Sequence, residues 1–229
     1  MRALVALVLA VAAPAAGCGG DDATGGAETA GETQPVAAET GGASDAGGCE
    51  PVEAPEPRPS GTGEAPTPLL SEGQTYDVVV DTSCGEFTIR LDPKASPKAV
   101  ASFAALVETG FFDGTTFPRI LPGFVIQGGD PTATGTGGPG YSTVDTPAAT
   151  TTYKKGVVAM AKAGAEDAGT AGSQFFVVTA ADAGLPPDYA VIGNVTAGLD
   201  VVERIGGLGG PDELPTQAVV VESMTLRSS

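Results

Sequence analysis

An arginine and a glutamine eight positions apart, Arg119 and Gln127, lie within FPRILPGFVIQGGD (117–130), and a second phenylalanine-rich run, GSQFFVVT (172–179), follows. The chain contains no histidine. A Ser/His/Asp triad, a Cys/His pair and the commonest zinc sites are therefore excluded, and any catalysis must run on other groups. The two runs offer a planar guanidinium that stays charged at physiological pH, a carboxamide that both donates and accepts, and aromatic surface. Taken singly, each phenylalanine reads as core packing, Arg119 as half of a surface ion pair and Gln127 as a strand-end residue. Only their joint spacing argues for a site.

The elements that must hold these residues are mostly short strands. YDVVVDT and GEFTIRL alternate apolar and polar residues around the turn Ser83-Cys84-Gly85, which predicts a hairpin beginning near Gln74. ASPKAVASFAALVETG changes to a helical period, with Ser96 as N-cap, Pro97 in the first turn, Val100, Phe103, Leu106 and Val107 on one face, and Gly110 as terminator. Further strands are predicted at TTFPRI, GFVIQG, GVVAMA, SQFFVVT, AVIGNV and AVVVESMTL, with a short helix at LDVVERI. About eight strands and two helices predict a mainly β fold, an eight-stranded antiparallel closed barrel capped by the helices.

The rest of the 229 residues reads differently. One arginine followed by ALVALVLAVAAPAA, too short to span a bilayer, predicts a signal peptide over 1–17. The AAGC that ends it resembles a bacterial lipobox, which makes Cys18 the lipidated first residue of the mature chain and places the protein on the outer face of the cell membrane. An ordinary secretory signal is the alternative. Residues 18–73 are rich in Gly, Pro and acid and lack aromatics, which predicts a disordered tether ahead of a domain over 74–229. With Cys18 carrying lipid, Cys49 and Cys84 remain as an even pair, and an oxidising compartment favours a disulfide between them over two free thiols. A net charge of −17 argues against nucleic acid as a partner.

FFDGTTFPRILPGFVIQGGD, GSQFFVVT and YAVIGNVTAGLDVVERI, in this order across about residues 75–226, resemble the cyclophilin family of peptidyl-prolyl isomerases. The resemblance implies a monomeric, cofactor-free and metal-free enzyme that grips proline-containing segments in a groove outside the barrel. Rotation about an Xaa-Pro amide is opposed by ~18–20 kcal/mol of lost conjugation, and no covalent bond is made or broken. Histidine is dispensable for that. By resemblance Arg119 is the catalytic donor to the prolyl nitrogen, Gln127 binds substrate and steadies it, and Phe124 and Phe176 are the aromatic walls. Val125 stands where methionine is common, Leu185 forms an aliphatic floor, Ala161 and Lys162 form a backbone strip with Gln174 nearby, and Tyr189 replaces a frequent histidine.

Three departures accompany the resemblance. Pro118 precedes Arg119 and removes one backbone donor beside it. The loop AGAEDAGTAGSQ is about two residues longer than the familiar form, and Gly184 stands where tryptophan is common. An isomerase assisting exported proteins is the reading these features favour. The alternative is a non-catalytic module that binds proline segments as a chaperone or adaptor.

Overall fold

The computed structural model describes residues 48–66, 70–71 and 73–229. The signal peptide, Cys18 and the tether as far as residue 47 lie outside the described residues. Alternation in the first hairpin sends Val78, Val80, Phe87 and Ile89 inward, and β1 (Tyr76–Thr82) pairs antiparallel with β2 (Gly85–Leu91) as the predicted hairpin, with Thr82 opposite Gly85. Gly85, at φ 110°, makes the turn possible.

Helix α1 (Pro97–Glu108) buries Val100, Phe103, Leu106 and Val107, the face its period predicts. Ser96 occupies the N-cap position but makes no side-chain cap bond. Asp145, almost fifty residues away, does the capping instead: its carboxylate accepts from Lys98 N at 2.7 Å and Ala99 N at 2.8 Å. A carboxylate at that end also meets the positive pole of the helix. At the other end Gly110 is left-handed, and the bonds Phe111 N to Leu106 O and Gly110 N to Val107 O close a Schellman turn.

The chain continues through β3 (Arg119–Leu121), β4 (Val125–Gly128), β5 (Thr143–Val144), β6 (Val157–Met160), β7 (Thr170–Ala171), β8 (Phe175–Val178), β9 (Val191–Ala197), α2 (Leu199–Gly206) and β10 (Val221–Ser228). The small pair β5 and β7 has no counterpart in the predicted strands. The main sheet runs β10-β1-β2-β9-β6-β8-β4-β3, with every pairing antiparallel. It is a curled half-barrel, and the predicted closed barrel is corrected accordingly, because β3 and β10 remain two edges. The reason lies in β3. It is three residues long between Pro118 and Pro122, and the amide of Ile120 is taken by Glu213 O rather than by a strand. The seam is spanned just before β3, where Thr116 bridges Val220 and Phe117 N donates to Val219 O.

A second correction concerns the tether. Residues 48–66, predicted to be a disordered spacer, are seated on the domain. Cys49 is disulfide-bonded to Cys84 in the first hairpin turn, and Glu50 N donates to Ser83 O. Arg58, Gly61 and Gly63 make further hydrogen bonds along the way.

The interior of the sheet holds a large apolar cluster with Phe87, Phe103, Phe112, Phe117, Ile120, Ile126 and Phe175 at or below 1% exposure. A second, smaller cluster lies on the opposite face of β4, β6 and β8, around Val125, Tyr153, Ala159, Phe176 and Val178. Two apolar faces on one set of strands are what place the site outside the sheet.

Candidate active site

The β3–β4 hairpin sets Arg119 directly opposite Gln127, and β4–β8 pairing sets Gln127 opposite Phe176. Three residues thus line up across three strands on the outer face, a placement that follows from antiparallel register. Pro118 does not disturb it. β3 starts at Arg119, immediately after the proline, so the missing donor falls outside the ladder. The turn Pro122-Gly123-Phe124 needs Gly123 at φ 69° and returns Phe124 beside the groove, where its carbonyl accepts from Thr179 N and Ala180 N.

Arg119, Phe124, Val125, Gln127, Phe176, Leu185 and Tyr189, with Ala161 and Lys162, surround one cavity of about 170 Å³. Gln174, the remaining candidate, stands next to it and accepts from Gln127 Nε2 at 3.1 Å. All ten candidate residues therefore meet at one place. The floor and walls are apolar: Phe176 packs edge-on to Tyr189 at 5.4 Å between centroids and is tilted against Tyr153 at 6.3 Å. Arg119 stands at the mouth. Its Nη1 donates to Gln127 Oε1 at 3.1 Å and its Nε to Glu213 Oε2 at 2.7 Å, which leaves guanidinium N–H groups for a ligand. The polar chain continues from Gln174 Nε2 to the carbonyls of Gly135 and Gly137, both at 3.0 Å.

Lys162 was expected to contribute backbone, and its side chain has a separate use. Its ammonium is bound to Asp188 Oδ2 at 2.8 Å and to Glu166 O at 3.0 Å, with only 3% of the side chain exposed, so it ties the loops on the two sides of the strip together. Donation to the Asp188 carboxylate holds its pKa above the ordinary lysine value. At Gly184, φ 62°, next in sequence to the lining residue Leu185, an added Cβ would meet nothing within 4 Å. The loop 163–174 is folded back on itself, with Glu166 Oε2 accepting from Ala163 N at 2.6 Å.

Two residues that matter here were not legible in the sequence. Tyr153 is fully buried beneath the cavity, and its hydroxyl donates to Tyr189 O at 2.7 Å and accepts from Tyr189 N at 2.9 Å. Burial holds its phenol above the usual pKa despite those hydrogen bonds. Glu213, at φ 63°, comes from a turn between α2 and β10, far from Arg119 in sequence. Neither carries a local signal, since both act through contacts made only on folding. Among the described residues no group of three His, Cys, Asp or Glu side chains is arranged to hold a metal ion.

A chemically coherent arrangement results: an apolar slot large enough for a small ring, with an anchored, permanently charged donor at its edge. Comparison with known proteins shows the family. The family model described as cyclophilin type peptidyl-prolyl cis-trans isomerase/CLD matches residues 77–226. Peptidyl-prolyl cis-trans isomerase B of Bacillus subtilis is 45% identical over 131 residues, covering 57% of this chain and 88% of that protein. Peptidyl-prolyl cis-trans isomerase of Helicobacter pylori is 34% identical over 159 residues, covering 68% of this chain and 90% of that protein. Among solved structures, a Cryptosporidium parvum cyclophilin type peptidyl-prolyl cis-trans isomerase, determined in the presence of the dipeptide Ala-Pro, superposes with a TM-score of 0.61 at 28% identity and covers 67% of this chain and 99% of that one.

Proposed function

This chain belongs to the cyclophilin-type peptidyl-prolyl cis-trans isomerase family, and we propose that it turns Xaa-Pro bonds of exported proteins while held at the outer face of a bacterial membrane by lipid on Cys18. The observation that carries the catalytic part is the anchored guanidinium of Arg119 beside the slot walled by Phe124, Phe176 and Leu185. A proline ring in that slot brings its amide to Arg119. As the amide twists, its nitrogen loses conjugation, becomes pyramidal and gains a lone pair. A donor fixed toward that nitrogen binds the twisted state better than either planar isomer, which is the condition for acceleration. A millionfold rate gain requires roughly 8 kcal/mol of such difference. The charged donor, the exclusion of water by the aromatic walls and the positioning by Gln127 share it.

Export and anchoring rest on two features of the chain. AAGC closes an apolar stretch too short to cross a bilayer, and a structural disulfide between Cys49 and Cys84 suits an oxidising compartment. Slow folding steps outside the cell include prolyl isomerisation, so an isomerase placed there has substrates. A protease-coupled assay on an Ala-Pro peptide tests the activity, and fractionation of cells carrying wild type or Cys18→Ser tests the anchor. Turnover that falls steeply in Arg119→Ala, and a wild type that sediments with membranes while Cys18→Ser is released, are the expected results. Tight peptide binding with no turnover by the wild type would favour the adaptor role, and a wholly soluble wild type would remove the anchor.

A further inference from the structure

Adjoining the proline slot is a larger cavity of about 620 Å³, and Gln127, Ala161 and Lys162 line both. An extended peptide advances only ~3.3–3.6 Å per residue. A chain with its proline in the slot therefore enters the larger cavity within about two residues. One wall of that cavity is the loop 135–142, and Ser60, from the segment ahead of the domain, lines it as well.

That segment is fastened at three places. The Cys49–Cys84 disulfide holds its start. Arg58 holds its middle, with Nη2 donating to Phe111 O at 2.7 Å and Asp113 O at 2.9 Å while its own amide donates to Pro131 O at 2.8 Å. Beyond Arg58 the segment lies against the cavity loop: Gly61 N donates to Gly138 O at 2.9 Å, Gly63 N to Pro139 O at 3.0 Å, and Gly138 N to Ser60 Oγ at 3.3 Å. The approach is close enough to require glycine on both sides. A Cβ on Gly61 would stand 2.7 Å from Pro139 O, and one on Gly140 2.5 Å from Gly61 O. A linker merely passing over the surface has no such requirement. The loop it braces is also the one whose Gly135 and Gly137 carbonyls hold Gln174, which holds Gln127, which holds Arg119.

We propose that residues 48–66 are a built part of the substrate groove, a strap that sets the shape of the second cavity and thereby selects among residues flanking the Xaa-Pro bond. The ligand class is an extended peptide whose side chain near the proline enters a half-polar pocket bounded by Ser60, the 135–142 backbone and Glu166. Arg58, Gly61 and the disulfide are positioning elements; Ser60 faces the ligand. The proposal rests on the isomerase reading for its substrate, but the seating of the strap is independent of it.

The test uses the full chain as wild type, Gly61→Val and Arg58→Ala. Isomerisation is measured on a blocked Ala-Pro dipeptide and on longer peptides in which positions on either side of the dipeptide are changed in turn to Phe, Lys or Glu, each rate normalised to the same variant's dipeptide rate. The expected result is that selectivity among the longer peptides changes by about three- to tenfold in kcat/KM, the scale of one or two net hydrogen bonds, with the change in KM rather than kcat. An unchanged ranking in both variants overturns the proposal. Because either variant could unfold, hydrogen exchange on the wild type supplies the second measurement: Gly61 and Gly63 amides must exchange more slowly than those of an open chain, and exchange at open-chain rates also overturns it. If the wild type turns over no Ala-Pro substrate, the isomerase reading fails by itself. Anisotropy of a labelled longer peptide then decides the strap's role, with weakened binding in Gly61→Val supporting it and unchanged binding ending it.

Discussion

Phe175 and Phe176 are adjacent in sequence, identical in chemistry and on opposite faces of β8. Phe175 is fully buried among Phe103, Phe112 and Phe117, with centroids 5.5, 5.9 and 6.0 Å away. Phe176 faces outward onto Tyr153 and Tyr189 and lines the slot. The inner face is filled by the protein's own side chains, whereas the outer face is apolar and left partly unfilled. One residue of strand period converts packing into binding. The difference also explains why the same residue type has two consequences when removed.

The largest effect is expected from Phe175→Ala, which should lower stability by about 3–5 kcal/mol, the range for large aromatic truncations in a closed core. Urea unfolding measures it. Phe176→Ala should cost less stability and raise KM for Ala-Pro peptides instead. Equal destabilisation by the two would erase the distinction between the faces.

Arg119→Ala comes next and sharpens the outer face into catalytic and merely apolar parts. It removes one anchored charged donor, and by analogy with oxyanion-hole deletions turnover should fall about a hundred- to a thousandfold, with peptide binding changed far less. Near wild-type turnover in a folded Arg119→Ala protein would refute the mechanism.

Removing the Cys49–Cys84 bond, by reduction or by Cys49→Ser, should lower stability by no more than roughly 4 kcal/mol on the chain-entropy model. The sequence separation is 35 residues. Thermal unfolding with and without reductant shows it, and an identical Tm under both conditions would mean the link does not constrain the chain.

Acid should act on the groove's border before neutrality matters. Burial alone would raise the pKa of Asp130, but bonds from Thr132 Oγ1 and from the amides of Thr132, Gly137 and Gly135 outweigh it and hold the carboxyl below its usual value. A folded pKa below the unfolded one means stability that is present above about pH 4 and lost as pH falls through the folded value. Protection of the 130–137 amides, measured against their intrinsic exchange rates, should therefore fall below about pH 4. Between about pH 6 and 8 the isomerisation rate should be flat, since no histidine is present to titrate; a bell-shaped profile there would point to a proton transfer that the mechanism lacks.

The smallest effect is expected from Glu213→Gln. The pair with Arg119 is half exposed, 40% and 50% for the two side chains, and exposed ion pairs contribute under ~1 kcal/mol. A loss of a few-fold in kcat at unchanged KM would show that the carboxylate aims the guanidinium. No loss would leave that task to Gln127.

Local pattern and tertiary context divide cleanly in this protein. By itself the sequence determined the first hairpin, the buried face of α1 and its end at Gly110, because period is a property of neighbouring residues; the grouping of Arg119, Gln127 and Phe176 came from the family resemblance, since Gln127 and Phe176 meet only through the non-local β4–β8 pairing. The sequence also marked Cys49 and Cys84 as a pair. Only the tertiary structure decided that Asp145 rather than Ser96 caps α1, that Glu213 and Tyr153 serve the groove, and that the sheet stops at β3 as a half-barrel. Composition assigned the Gly/Pro-rich residues 48–66 to an open spacer, since they bury little apolar surface of their own. Their seating is held by a disulfide, a guanidinium and backbone bonds to carbonyls of a distant loop. None of these contacts leaves a period in the chain, because each depends on which surface the fold brings within ~3 Å.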